Sequence, residues 1–220
     1  GAPIVWGGAP AIFDMRKGGT PMGAIETAMI DAGYAQVGKS LGLPTHAYLC
    51  ASESKVIDAQ AGLESGMTAL VGALAGINMI SGAGMLDFLA CQSPEKLTVD
   101  AEAIGMTKRL LEGITVRTET LATAMFEGIN FKADFLKQKV TRELFPIEQY
   151  LPSAIIDRDS IRGWQDGGSL DTFARAKSRA NDLVSKYQRP ESTLAREKEL
   201  VDMVTSLART AGMDSLPDFI

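Results

Sequence analysis

Histidine and cysteine are almost missing from this 220-residue chain, which holds one histidine, His46, and two cysteines, Cys50 and Cys91. A zinc site needs three or four nitrogen and sulfur ligands at close spacing, so this supply argues against one. Two cysteines make no disulfide framework, and both read as buried, reduced thiols of a cytoplasmic protein. Basic charge is also short: 22 Lys and Arg against 27 Asp and Glu leave a net charge of −5. Phosphate binding needs clustered Lys and Arg, so no nucleic-acid partner is expected. No apolar run approaches the ~20 residues of a membrane span, which excludes a spanning helix. The opening GAPIVWGG lacks the charged and apolar regions of a signal peptide. Three fingerprints are missing as well. There is no clear GxGxxG after a strand, no GxxxxGK[ST] loop and no GxSxG elbow, which counts against dinucleotide, nucleotide-triphosphate and hydrolase sites of those types.

What is present is an ordinary globular composition, 45% hydrophobic and 22% charged, in a chain long enough for one sizeable core. Its distribution is uneven. Residues 1–100 carry 15 of the 22 glycines and 14 charged side chains, nine acidic and five basic. Residues 101–220 carry 7 glycines and 35 charged side chains. The first part reads as buried strands with tight turns, the second as amphipathic helices.

Taken in order, Ala2–Trp6 is a short apolar run, expected as a buried strand. A long loop to Thr20 follows, and Thr20-Pro21 predicts a helix start there, with Met22, Ile25, Met29 and Ala32 as its apolar face and its end near Ser40. Pro44–Cys50 is a second strand, with Thr45, Ala47 and Leu49 on one face and His46 and Tyr48 on the other. Lys55–Ala75 contains a second helix with a stripe of Leu63, Met67, Leu70, Val71 and Leu74. Ile77–Ile80 is a third strand ended by the glycine turn SGAG at 81–84. Ser93-Pro94 caps a third helix, whose stripe is Leu97, Ala101, Ile104 and Leu111. This alternation implies right-handed βαβ units and a parallel sheet, of barrel type.

After Ile114–Val116, a last strand candidate, the rhythm stops. Thr118–Lys137 reads as helical. Leu144–Asp157 reads as a proline-punctuated arm packing on a body. Ser169 is expected to cap a helix reaching Tyr187, and Ser192 to start a last helix that Gly212 ends. The chain therefore divides at about residue 116, into βα units at 1–116 and a helical region at 117–220.

The stretch Lys55–Leu86 concentrates the polar candidates. Gln60 and Glu64 are one helical turn apart and close to Asp58; they line a pocket or solvate a helix start. Leu63 falls in the apolar register and is expected in the core. His46 is a candidate acid–base group or a hydrogen-bonded core residue. Trp6 and Tyr48 near strand ends, with Phe13 and Phe88 in loops beyond strands, would make an aromatic wall. Ring faces attract quaternary ammonium ions, although apolar filling accounts for them equally.

DAQAGLESG at 58–66, LAGINMISGAGMLDF at 74–88 and SPEKLTVDAEAIGM at 93–106 resemble the trimethylamine methyltransferase (MttB) family. GGAPAIFDMRKGGTPMGAIET at 7–27 and LPSAIIDRDSIRGW at 151–164 look like family text too. The resemblance implies the C-terminal part of longer proteins: the later units of a TIM (β/α)8 barrel followed by a mainly helical elaboration. It implies methyl transfer from an amine to cob(I)alamin held by a separate corrinoid protein, with no cofactor bound by this chain alone. Related enzymes carry pyrrolysine at the position of Leu63, which here is inert. That change points to a quaternary, betaine-like amine. Trp6, Tyr48, Gln60 and Glu64 are the expected substrate contacts, and Arg16 or His46 would receive a substrate carboxylate. A different class stays open, a non-catalytic amine-binding or corrinoid-docking module. So does homo-oligomerisation, since open strand edges need covering.

Overall fold

The computed structural model describes residues 1–117, 123–127 and 134–216. It is a mixed α/β chain with seven α-helices and few, short strands among the described residues. Two compact units are present, Gly1–Asn181 and Asp182–Ile220. The second holds the last helix, α7 (Glu191–Thr210), which follows Pro190 without a side-chain cap.

The order in the first unit is α1 (Ile25–Ser40), β1 (His46–Ala47), α2 (Ala59–Leu74), β2 (Met79–Ile80), β3 (Met85–Leu86), β4 (Cys91–Gln92) and α3 (Pro94–Glu112). β1 pairs in parallel with β2, His46 opposite Met79, and Trp6 makes a parallel bridge to Thr45. Three parallel neighbours joined through α1 and α2 are the expected βαβ units. Ala2–Trp6 is not a buried strand, however. It has only that bridge, and Ile4 and Val5 are exposed. β3 and β4 form a small antiparallel hairpin that the sequence reading did not contain. Among the described residues Ile114–Val116 forms no strand.

Helix starts follow local chemistry. Ser93 caps α3 by accepting the Lys96 N–H, with Pro94 at the first helical position. Asp58 caps α2 in the same way through the Ala61 N–H. α1 begins at Ile25 rather than at Pro21, because the Gly23 N–H is turned away to the Glu53 carboxylate at 2.8 Å and the Pro21 carbonyl accepts the Thr27 hydroxyl. Ser169, which follows α5 (Ile161–Asp166), caps nothing: it lies at φ 55°, and Asp171 accepts the Ala174 N–H at the start of α6 (Thr172–Ser185).

The buried faces differ from those expected. α1 buries Thr27, Ala28, Asp31, Ala35 and Gly38, and α2 buries Ala61, Ser65, Thr68, Ala69 and Gly72. α3 buries Lys96, Asp100 and Glu102. The apolar stripes instead lie largely exposed: Met29, Met67, Leu74, Leu97 and Leu111 all do, and Leu63, expected in the core, is 72% exposed. Small residues let the helices sit close on the sheet, whose own Leu49 and Ile80 fill the gap. A Cβ on Gly72 would lie 2.7 Å from Leu49 Cδ1 and 2.8 Å from Ile80 Cδ1, so any larger residue must displace both side-chain ends. Cys50 is buried, as expected, but Cys91 is exposed.

Polar groups therefore do much of the packing. The Lys96 ammonium, 0% exposed, donates to Ser65 Oγ on α2 and to Asp100 Oδ2, both at 2.6 Å. The same Asp100 oxygen accepts the Gly84 N–H at 2.7 Å, tying α3 to the glycine turn after β2. Burial pushes the Cys50 thiol up to about 12, with the Asp100 charge adding to it. The arm expected at 144–157 does pack on the body. It runs from the end of α4 (Lys139–Glu148), and Tyr150 Oη and the Ser153 N–H both donate to Glu102. Arg109 donates to the Glu148 carbonyl. The helix expected over 118–137 falls largely outside the described residues, which show short 3₁₀ turns at Thr123–Phe126 and Phe135–Lys137.

Two stability predictions follow from the buried charges. Asp100→Leu strands the Lys96 ammonium and costs about 3–5 kcal/mol, whereas adding Lys96→Met recovers part of that loss in urea unfolding. Additive losses would show that the two groups do not act as a pair. Asp31 is 1% exposed, neither of its oxygens has a partner among the described residues, and burial pushes its carboxyl up to about 7. Its folded form thus holds a proton that the unfolded chain releases near its ordinary value, 3.8. This contribution is full below that value and is lost as pH rises through 7. Asp31→Asn should gain stability relative to wild type between pH 4 and pH 7.5; a constant difference across that range would refute this.

Candidate active site

The loops after successive strands meet over one cavity of about 780 Å³. Such loops at strand ends are where parallel α/β proteins place their sites. Phe13, Asp14 and Arg16 come from the loop beyond Trp6, Glu53 from the loop after β1, Gln60 and Glu64 from the first turns of α2, and Phe88 from the β3–β4 turn.

Glu64 is the hub. Its Oε2 accepts the Ser52 hydroxyl at 2.5 Å and the Glu53 N–H at 2.9 Å, and its Oε1 accepts the Gln60 amide at 2.9 Å. Glu53, 8% exposed, reaches the same place from the other side and accepts the Gly23 N–H. A Cβ on Gly23 would sit 2.9 Å from Glu53 Oε2 and 3.0 Å from Glu64 Oε2. Two carboxylates therefore converge on the bare Cα of a glycine. Burial raises the Glu53 carboxyl, and the Glu64 charge adds to that against the opposing Gly23 hydrogen bond.

Phe88 is presented by unusual backbone. Asp87, Phe88 and Leu89 lie at φ 50°, 57° and 67°, a left-handed turn that costs roughly 1–2 kcal/mol per residue for side chains other than glycine. The turn is held by the Asp87 N–H on the Ser54 carbonyl and by Lys55. The Lys55 ammonium pairs with Asp87 at 3.1 Å, donates to the Glu53 carbonyl at 2.7 Å and lies 4.5 Å from the Phe88 ring centre. This ring already carries a cation on one face.

The structure brings together Arg16, Gln60 and Glu64, with Phe13 and Phe88 of the expected aromatic wall, and separates Trp6, His46, Tyr48 and Leu63 from them. Arg16 is held by Asp14 in a two-pronged ion pair, Nε to Oδ1 at 3.1 Å and Nη2 to Oδ2 at 3.0 Å; the Arg16 hydrogen bond keeps the Asp14 carboxyl below its ordinary value. His46 and Tyr48 share the other sheet face, as the two-residue period predicts. His46 Nε2 is 2.7 Å from Ser81 Oγ, and Tyr48 meets its ring edge-on at 4.9 Å. Trp6 is not at the cavity: it stacks on Tyr34 of α1 at 5.0 Å and donates to the Tyr34 carbonyl. Leu63 does not line the cavity either, although it directly precedes Glu64. Glu53 was missed by sequence reasoning. Its signal was an acidic residue between serines immediately after a buried strand.

Among the described residues no group of three or more His, Cys, Asp or Glu is placed to hold a metal ion. Carboxylates beside aromatic rings at the ends of parallel strands define a class of site, one suited to a small organic cation. The chain belongs to the trimethylamine methyltransferase family, whose profile matches residues 1–213. It is 36% identical to the trimethylamine methyltransferase MttB2 of Methanosarcina mazei over 190 residues, 86% of this chain and 38% of the relative. It is 32% identical over 191 residues to the glycine betaine methyltransferase of Desulfitobacterium hafniense strain Y51, 86% of this chain and 40% of that one. To the trimethylamine methyltransferase MttB of another Desulfitobacterium hafniense strain it is 31% identical over 205 residues, 92% of this chain and 41% of the relative. The chain thus spans about two fifths of the length of these relatives.

The left-handed turn supplies a test of strain against packing. Phe88→Gly removes a backbone penalty of about 1 kcal/mol and only a part-exposed ring, so thermal unfolding should stay level or rise. A drop of more than about 2 kcal/mol would show that ring packing outweighs strain.

Proposed function

We propose that this chain is part of a corrinoid-dependent methyltransferase that takes a methyl group from a quaternary, betaine-like amine and passes it to the cob(I)alamin of a partner corrinoid protein. The observation that carries the reading is the DAQAGLE stretch. Glu64 anchors it to the cavity, and Leu63 stands out from α2 where related enzymes carry pyrrolysine. Leucine neither forms an adduct nor moves a proton. A neutral tertiary amine giving up a methyl would leave as an amide anion and needs such help. A quaternary ammonium leaves as a neutral tertiary amine, the electron pair of the broken C–N bond staying on nitrogen. The name of the glycine betaine relative supports the same substrate class.

The nucleophile is supplied by the corrinoid. What this chain's residues do is bind, orient and dry the amine. Phe13 and Phe88 offer ring faces, Glu53 and Glu64 offer counter-charge, and Arg16 stands at the lip where a carboxylate tail would emerge. In this reading the βα units of residues 1–116 are later units of a (β/α)8 barrel, and residues 117–220 are a helical elaboration upon it. The apolar flanks of α1 and α2 suit barrel helices, which pack against helices on either side.

The intact protein should methylate cob(I)alamin, followed by its absorbance, with glycine betaine and not with trimethylamine. Glu64→Ala should slow that transfer at least tenfold, about 1.4 kcal/mol of transition-state stabilisation. Turnover of trimethylamine alone would sink the argument from Leu63. Binding of betaine without any transfer would favour a non-catalytic module.

A further inference from the structure

Resting on the reading of the cavity as an amine site, we propose that Glu53 is the residue that selects a positively charged ligand, meeting the ammonium head between its own carboxylate, that of Glu64 and the Phe88 ring. Neither the family text nor the residue pattern singles out Glu53; its placement does.

Three independent observations converge there. First, Glu53 is buried yet lines the cavity, and it holds its carboxylate with the Gly23 N–H rather than with a cationic side chain. Lys55, whose charge acts on Glu53, engages the Glu53 backbone carbonyl instead. Second, Glu53 Oε2 and Glu64 Oε2 lie 2.9 Å and 3.0 Å from the position a Cβ on Gly23 would take, so the two carboxylates sit side by side where both line the cavity. A cation there is attracted by both acids and relieves their mutual repulsion, whereas a neutral molecule of the same shape gains neither. Third, the Phe88 ring carries the Lys55 ammonium on one face, so the wall beside the acids is shown to accept a cation.

The basic groups at the cavity do not cancel this charge. Arg16 is committed to Asp14, and Arg16 and Lys17 belong to the exposed loop. The buried end is acidic, while at the exposed loop Arg16 is balanced by Asp14. A ligand with its ammonium inward meets opposite charge at the buried end.

The test uses choline and its uncharged isostere 3,3-dimethylbutan-1-ol, titrated calorimetrically into the intact protein. Wild type should prefer choline at least tenfold, a difference of about 1.4 kcal/mol. Glu53→Gln keeps an oxygen to accept the Gly23 N–H, and should lose that preference without changing affinity for the isostere. Phe88→Leu, with both acids intact, should weaken choline more than the isostere by removing the ring face at the cavity. A pH series adds a readout that a purely structural role would not move. The groups facing Glu53 are Glu64 from α2, the Gly23 N–H and Lys55, with Asp14, Arg16, Lys17 and Glu26 around the cavity. Choline affinity should tighten as pH rises through the raised Glu53 titration, and Glu53→Gln should flatten that dependence. Equal affinity of wild type for both ligands overturns the proposal, as does a folded Glu53→Gln with unchanged choline affinity. If Glu53→Gln does not fold, an unchanged preference for choline in Phe88→Leu overturns it alone. Absence of methyl transfer alongside intact choline selectivity would overturn only the methyltransferase reading.

Discussion

A lysine ammonium with no exposed surface holds the site-bearing part of this chain together. Lys96 has lost its water, and its charge is tolerable only because Asp100 and Ser65 replace that water within 2.6 Å. Asp100 in turn takes the Gly84 N–H. One ion pair therefore fixes three things at once: α2, α3 and the glycine turn between them. An apolar core of the same volume could hold the helices together, but it would not fix the register of the turn. Hydrogen bonds are directional, and here the direction is what the site needs, because β3 and the Phe88 turn follow immediately after Gly84.

From that junction the order passes to the cavity through α2. Ser65 faces the buried ammonium and Glu64, one residue earlier, faces about a hundred degrees round the helix, into the loop after β1. Thr68 donates to the Glu64 carbonyl and accepts the Cys50 N–H, holding Cys50 at φ 64° and setting the path of Ala51–Ser54. Glu64 then receives the Ser52 hydroxyl and the Glu53 N–H. The acid pair over Gly23 is thus assembled by backbone direction and not by attraction between its members, which repel. Repulsion held in place by surrounding hydrogen bonds is how a site keeps affinity in reserve for an opposite charge.

Much of the fold was legible. The alternation of βα units, the cap at Ser93 and the two faces of 45–49 follow from period and cap chemistry, and the structure has them. The helix faces were not legible, for a physical reason. Periodicity identifies which side of a helix is apolar, not which side the chain covers. In α1, α2 and α3 the side turned inward is small or polar, with Gly72 admitting Leu49 and Ile80 and Lys96 neutralised by a partner four residues on. The large apolar side chains, Met29, Met67 and Leu74 among them, have no cover among the described residues. Of the site, Gln60, Glu64 and Arg16 were readable. Phe88 was seen only as an aromatic beyond a strand, and Glu53 not at all, because a loop residue's direction depends on hydrogen bonds that no spacing encodes. Trp6 went the other way: a strand-end position suggested a site role, whereas its ring packs on Tyr34.

Three consecutive residues of α2 show how little sequence distance separates these roles. Leu63 points outward, Glu64 into the cavity and Ser65 to the buried ammonium, each about a hundred degrees from the last around a helix of 3.6 residues per turn. The helix can rotate little, because turning it to bury Leu63 would pull Ser65 from Lys96 and Glu64 from Ser52 together. The exposure of Leu63 is therefore imposed by its neighbours, not tolerated for its own sake. A position held outward by two polar anchors can change its side chain without disturbing the fold. That freedom leaves position 63 open to variation while Glu64 and Ser65 keep their contacts.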